Sequence, residues 1–289
     1  MHFAVLCSRD SWYRRDLERA AAGHHEITPI TFRQLTAELA TTGVAFSSGG
    51  DLSRIDAVLV RTMPPGSLEQ VVFRMDVLGR LQAAGKVVIN PPRAIETAVD
   101  KYLASAKLVE AGLRTPRTVV CQTVEDAMSA FARLGGDVVV KPLFGGEGRG
   151  LTRLADDGLA QRAFSLLVQL GAVLYVQEFI PHDGCDVRVL VVGRRMWAIR
   201  RVNRLDWRTN VSRGATAEPV ELTTELADLA RRAADAIGAP VAGVDLLPAA
   251  DGRPYVIEVN AVPGWQALSR TLNVDIARHV LDYVASITT

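Results

Sequence analysis

Residues 241–261, VAGVDLLPAADGRPYVIEVNA, restrict the fold more than any other stretch of this chain. Two apolar runs flank Asp251-Gly252, a dipeptide that suits the positive φ angles of a tight hairpin turn. Side chains alternate faces along a strand, so Glu258 and Asn260 project together, and hairpin pairing brings Asp245 opposite them. Two carboxylates and an amide oxygen set among apolar neighbours are costly inside a core unless something compensates their charge. They form a hard, oxygen-only donor set suited to Mg²⁺ or Mn²⁺. The alternative, an exposed polar face, must explain why the intervening Ile257 and Val259 are apolar.

A second stretch, VVVKPLFGGEGRG at 138–150, reverses the order of a Walker loop, in which glycines come first and the lysine opens a helix. Here Lys141 ends an apolar strand, and Gly145, Gly146 and Gly148 follow it. Glycines let backbone approach phosphate oxygens closely, so a flap over a polyphosphate fits this order. A flexible hairpin carrying a solvated lysine fits it too. Lysine occurs only at 86, 101, 107 and 141, arginine filling the other basic positions.

Two weaker signals come later. VLYVQEFI, 173–180, is an apolar strand ending in Gln177-Glu178-Phe179-Ile180, which suits a sheet edge, an interdomain hinge able to pair with an adenine edge, or an ordinary buried strand. From Arg188 through RRMWAIRRVNRLDWRTNVSRG, arginines mix with Trp197, Trp207 and Asp206. The run fits a basic wall for phosphate and acidic substrate, because guanidinium forks match their oxygens. It also fits a nucleic-acid surface.

Elsewhere the pattern alternates. Residues 2–8, 55–61 and 87–90 read as strands, and 67–84 as a helix with Leu68, Val71, Val72, Met75, Leu78 and Leu81 on one face, which implies a parallel sheet with packed helices. Pro91-Pro92 marks a boundary. Residues 93–112 read as one helix, 115–122 and 137–143 as strands around a helix capped by Thr123, and the second half as mostly strands, with Gly193-Arg194 as a further hairpin turn. The 289-residue chain carries 33 basic and 32 acidic residues, a balance that argues against a nucleic-acid or membrane surface. Its three isolated cysteines offer neither a disulfide framework nor a CxxC metal site, and no apolar run is long enough to cross a bilayer, so a soluble, cytoplasmic protein is expected.

In order, the lysine, the glycine flap, QEFI, GCDVRVLVVG, WRTNVSRG, GVDLL and IEVNAVPG resemble the ATP-grasp superfamily, and specifically the RimK-type α-L-glutamate ligases, from about residue 94 to the C-terminus. The resemblance implies α/β and α+β architecture: an N-terminal α/β lobe over 1–92, a central ATP-grasp lobe over 93–181 bearing the flap, and a C-terminal lobe over 182–289 bearing the metal site. It implies that Lys101 and Lys141 contact ATP phosphates beneath Gly145, Gly146 and Gly148. Gln177, Glu178, Phe179 and Ile180 would hold adenine, and Asp186 would lie near the ribose. Asp245, Glu258 and Asn260 would bind two Mg²⁺, with Mn²⁺ as a substitute. Arg213, with Arg188 and Asn210, would stabilise the γ-phosphate and the acyl phosphate. Beside the resemblance, Arg61, which follows a strand in the N-terminal lobe, is a candidate for the acceptor's anionic end, and Arg201 and Arg208 of the basic run are candidates to face substrate.

The implied activity is an ADP-forming carboxylate-amine ligase that works through an acyl phosphate and adds L-glutamate to a coenzyme or to a protein C-terminus, in a homo-oligomer. Where the family commonly reads Asn-x-Ser-Pro-Gly, this chain has Asn260-Ala261-Val262-Pro263-Gly264-Trp265, a departure that bears on the acceptor pocket. That form resembles ligases acting on C1-carrier coenzymes of the tetrahydromethanopterin or methanofuran type. The alternatives are a carrier-protein ligase of lysine-biosynthesis type, a non-catalytic nucleotide-binding regulator, and an RNA-binding protein using the arginine run.

Overall fold

The computed structural model describes residues 1–41, 43–47, 52–146, 148–211 and 214–288. The N-terminal lobe runs β1 (His2–Leu6), α1 (Trp12–Ala21), β2 (Glu26–Ile30), β3 (Thr36–Ala40), β4 (Gly43–Ser47), β5 (Ala57–Val60), α2 (Leu68–Ala83) and β6 (Val87–Ile89). Its parallel sheet has the order β2-β1-β5-β6, so the winding reverses between β1 and β5, and β3 and β4 pair separately as a hairpin. Ser67 and Gln70 form the capping box that starts α2. The buried face of α2 is Arg74, Met75, Val77, Leu78 and Leu81, a set at helical spacing. The expected face was turned too far: Leu68 and Val72 are 79% and 48% exposed.

The helix expected over 93–112 is two, α3 (Pro92–Val99) and α4 (Lys101–Glu110). Asp100 divides them, because its carboxylate accepts hydrogen bonds from the amides of Tyr102 and Leu103 and so caps a new helix. Both helices pack against α7 (Thr224–Ile237) and β15 (Tyr255–Asn260) of the C-terminal lobe.

The central lobe runs β7 (Thr118–Cys121), α5 (Val124–Arg133), β8 (Val138–Lys141), β9 (Thr152–Leu154), α6 (Asp157–Gln169) and β10 (Leu174–Glu178). Its antiparallel sheet has the order β7-β10-β8-β9. The strand that leads into Phe179-Ile180 is therefore internal, not an edge. Phe131, Phe164, Leu174, Val138 and Val176 fill a core that belongs to this lobe alone.

The C-terminal lobe comprises β11 (Cys185–Val192), β12 (Arg195–Val202), β13 (Thr216–Pro219), α7, β14 (Val241–Leu247) and β15, then α8 (Gln266–Leu272) and α9 (Ile276–Ser286). Its five strands are antiparallel in the order β13-β12-β11-β14-β15, with turns at Gly193 and Gly252, both at positive φ. Alternation sorts β11: Val187, Val189 and Val191 enter a core shared with the N-terminal sheet, while Leu190 and Val192 enter a second core with Trp265 and α9. Buried Asn90 pins the N- and C-terminal lobes together, donating to the carbonyls of Val241 and Ala261 and accepting from the Val241 amide. Among the described residues, no helix is long and apolar enough to cross a membrane.

Candidate active site

One face of the C-terminal sheet carries a continuous row of charge, and the register explains it. Asp186 pairs with Arg201, Arg188 with Asp245, Asp245 with Glu258, and Gly243 with Asn260, so all share one face. The expected hairpin is thus formed, with one addition: the register shifts after Asp245, and Ile257 is the extra residue of a β-bulge. Through it both Ile257 and Glu258 line the cleft below.

The row is largely paired. Arg188 Nη1 donates to Asp245 Oδ1 at 2.6 Å, and Arg201 Nη2 lies 3.0 Å from the same oxygen. Arg201 also grips Asp186 with Nε at 2.7 Å and Nη2 at 2.5 Å, and the Thr209 hydroxyl donates to Asp186 at 2.6 Å. Asp186, Asp245 and Arg201 are all buried. Burial opposes the charge on Asp245, but Arg188 and Arg201 outweigh it and hold the carboxyl below its ordinary range. Burial outweighs Arg201 at Asp186, which with the help of the Asp245 charge is pushed up. Gly243 leaves room for this packing, since a Cβ there would run into the Arg188 guanidinium and push it aside.

The facing wall comes from the central lobe and α4. Lys141, at the end of β8, is buried; desolvation pulls its pKa from an ordinary 10.5 to about 8, against the pull of Glu258 and Asp245. Lys101, the first residue of α4, is lowered by the same cause. Its Nζ donates to the Gly145 carbonyl at 2.7 Å and its amide to Leu143, which ties it to the glycine flap. Tyr175 and Gln177 extend the wall: Gln177 Nε2 donates to Thr118 at 2.9 Å and to the Tyr175 hydroxyl at 3.2 Å, which also pairs with Ser105.

Every residue assigned above to the nucleotide lines this one cleft, as do Asn210, Arg201, Arg208, Asp245 and Glu258. Arg188 and Asn260 stand beside the lining on the same sheet face. Arg61 lies elsewhere, its guanidinium 4.1 Å from the centre of the Trp265 ring. Arg213 falls outside the described residues. The sequence reading missed Thr209, Tyr175, Ser105, His182 and Trp207, which also line the cleft. Only Trp207 carried a signal, as an aromatic within a basic run.

The donor set fits a hard cation in part as it stands. Glu258 makes no hydrogen bond or ion pair among the described residues and faces both lysines. Oδ1 of Asp245 is already claimed by two guanidinium groups, so a cation there would share the carboxylate with them. Among the described residues no three His, Cys, Asp or Glu side chains are arranged to hold a metal ion, so a cation here would draw on amide, water or substrate oxygens as well.

A lysine-lined cleft under a glycine flap, opposed by a charged antiparallel sheet and preceded by a parallel α/β lobe, defines an ATP-grasp ligase. The chain belongs to the RimK-like ATP-grasp family, whose domain model matches residues 98–284. It is 33% identical over 291 residues to the tetrahydromethanopterin:alpha-L-glutamate ligase of Methanosarcina acetivorans, covering 90% of this chain and 89% of that protein. It is 30% identical to the probable alpha-L-glutamate ligase of Trichodesmium erythraeum, covering 98% and 96%. Among solved structures, the ATP-grasp ligase PsnB complexed with minimal precursor, Mg and ADP matches with a TM-score of 0.78 at 26% identity, over 99% of this chain and 97% of that one.

Proposed function

We propose that this ligase adds L-glutamate to an acid-bearing acceptor, a C1-carrier coenzyme or a peptide C-terminus, at the expense of ATP. The observation that carries the proposal is the opposition across one cleft of two desolvated lysines and a sheet face bearing Asp245, Glu258 and Asn260. Relatives named for glutamate ligation support the amino acid, and the carrier-protein and regulator alternatives gain no such support.

In the proposed reaction an acceptor carboxylate oxygen bonds to the γ-phosphorus and the bond to ADP breaks. The glutamate amine then bonds to the acyl carbon, phosphate leaves with the electron pair, and the nitrogen loses a proton. Lys101 and Lys141 neutralise the triphosphate, and burial keeps their charge poorly solvated until phosphate arrives. The flap of Gly145, Gly146 and Gly148 excludes water, Gln177 to Ile180 receive adenine, and Asp186 receives the ribose. Arg188, Arg213 and Asn210 orient the transferring group, while Arg201 and Arg208 face substrate. Asp245, Glu258 and Asn260 would hold divalent metal, which when bound supplies Lewis-acid charge to the phosphates. The proposal extends to two such ions, with Mn²⁺ able to replace Mg²⁺, to a cytoplasmic setting and to a homo-oligomer.

Mass spectrometry of extracted coenzymes and peptides after incubation with ATP, Mg²⁺ and isotope-labelled glutamate tests the proposal. The expected result is an acceptor heavier by one or more glutamyl residues, formed together with ADP. ATP turnover that never transfers label would overturn it.

A further inference from the structure

A second basic cluster lies outside the nucleotide cleft, where Cys7 follows β1 and Arg61 follows β5. These are the two strands between which the winding of the N-terminal sheet reverses, and open α/β sheets bind ligands in the crevice beyond the carboxyl ends of such strands. Arg61 is only 9% exposed, and its guanidinium lies against Trp265 at 4.1 Å and Tyr13 at 4.8 Å, with Nη2 donating to the Pro263 carbonyl at 2.5 Å. No carboxylate pairs with it among the described residues, and its Nε is enclosed without a hydrogen-bond partner. Arg14, in the first turn of α1, repeats the pattern: its Nε is also enclosed and unpartnered, while Nη1 lies 3.6 Å from Glu18. Arg14 directly follows Tyr13, over whose ring Arg61 lies, and the charges of Arg14, Glu18 and Arg61 all reach the Cys7 thiol. Gly264 keeps the clamp closed, because a Cβ there would meet the Tyr13 hydroxyl at 2.6 Å.

Buried donors are nearly always satisfied, so two enclosed N–H groups on cationic side chains mark a place prepared for an acceptor atom. We propose that this crevice seats a second oxyanion of the acceptor substrate, a carboxylate or a phosphate, remote from the carboxylate that reacts. The assignment rests on the ligase function proposed above. Pro263, which Arg61 holds, is three residues from Asn260, so the backbone that Arg61 grips lies within about 11 Å of the Asn260 backbone. One small molecule with two acid groups spans that distance. An acceptor lacking the second acid leaves the Nε–H groups of Arg14 and Arg61 unsatisfied and is rejected on that ground.

The test is arginine Nε–H NMR of the full-length protein, titrated separately with inorganic phosphate and with glutarate at fixed ionic strength. The Arg61 and Arg14 signals, assigned through Arg61→Lys and Arg14→Lys, should shift together and saturate. Phosphate held in the nucleotide cleft would instead move Arg188 and Arg201. Arg14→Gln, checked for an unchanged melting profile, should weaken the interaction at least tenfold, so the site stays testable if Arg61 variants fail to fold. A shift with phosphate alone identifies a phosphorylated acceptor, and a shift with glutarate alone a polycarboxylate. Unmoved Arg61 and Arg14 signals in a protein that still transfers labelled glutamate refute the oxyanion site and leave the ligase function standing. Saturable shifts in a protein that transfers no glutamate do the reverse.

Discussion

The two walls of the cleft hold charge in opposite ways. On the C-terminal sheet, Asp186 and Asp245 are buried against Arg188 and Arg201 within hydrogen-bond distance. On the facing wall, Lys141 is equally buried, yet neither it nor Lys101 forms an ion pair with any described residue. The first wall is neutralised by its own sequence and is part of the core that joins the N- and C-terminal lobes. The second is divided: Lys141 belongs to a lobe with a separate core, while Lys101 opens α4, whose Ala104 and Leu108 enter the joined core, and the two cations stay electrostatically incomplete until an anion enters. One wall is internally paired, and the other carries two desolvated cations without an ion-pair partner among the described residues.

The largest effect expected is on chemistry. Glu258 is the carboxylate of the paired wall that remains unclaimed, so Glu258→Ala should lower ADP-forming turnover by about 10³-fold. Its thermal midpoint should stay within a few degrees of the parent, because no hydrogen bond or ion pair among the described residues is lost. Normal turnover in this variant would remove the cation from the paired wall.

Stability should separate the walls next. Arg201→Met leaves Asp186 and Asp245 buried with Arg188 alone, and chemical denaturation should show a loss of about 3–5 kcal/mol. Lys141→Met removes a desolvated charge that nothing pairs, and should cost no stability at neutral pH. Equal losses from the two variants would mean that the walls do not differ.

A pH series sharpens the same contrast. Between about 8 and 10.5 the folded chain binds fewer protons at Lys141 than the unfolded chain does. Stability contributed by this residue therefore rises with pH across that window, at up to about 1.4 kcal/mol per unit, and Lys141→Met should lack the rise. Denaturation midpoints of the two proteins from pH 7 to 10.5 decide the point.

Part of this was legible in the sequence and part was not, for physical reasons. The Asp245–Glu258 pairing followed from strand alternation and the Asp251-Gly252 turn, both local properties. The lysine-before-glycine order likewise announced a strand-end lysine beneath a flap. That Arg201 bridges Asp186 and Asp245 depends on the register of β12 against β11 and of β11 against β14, which no single segment encodes. The bulge at Ile257 and the Asp100 cap that makes Lys101 the first residue of α4 are similar cases: each is one residue overriding a longer pattern. Arg61 was expected to meet the acceptor's anionic end because it follows a strand; that its guanidinium stacks on Trp265, about 200 residues away in sequence, is a tertiary fact no single segment encodes.

The smallest effect expected concerns Arg208, whose role joins the walls. Its Nη1 donates to the Leu151 carbonyl at 3.1 Å, just past the flap glycines, while Nε is held by Asp206 at 3.0 Å. The guanidinium therefore reaches from the C-terminal lobe to the glycine-flap side of the cleft through one part-buried hydrogen bond worth roughly 1 kcal/mol. Arg208→Ala should raise the KM for ATP about five-fold through faster nucleotide release, with kcat and thermal midpoint nearly unchanged. Contact with the acceptor predicts a different pattern, in which the KM for acceptor rises and that for ATP does not. Steady-state kinetics with each substrate varied in turn separates a lid tether from a substrate ligand, and so shows whether the paired wall touches the other through protein alone.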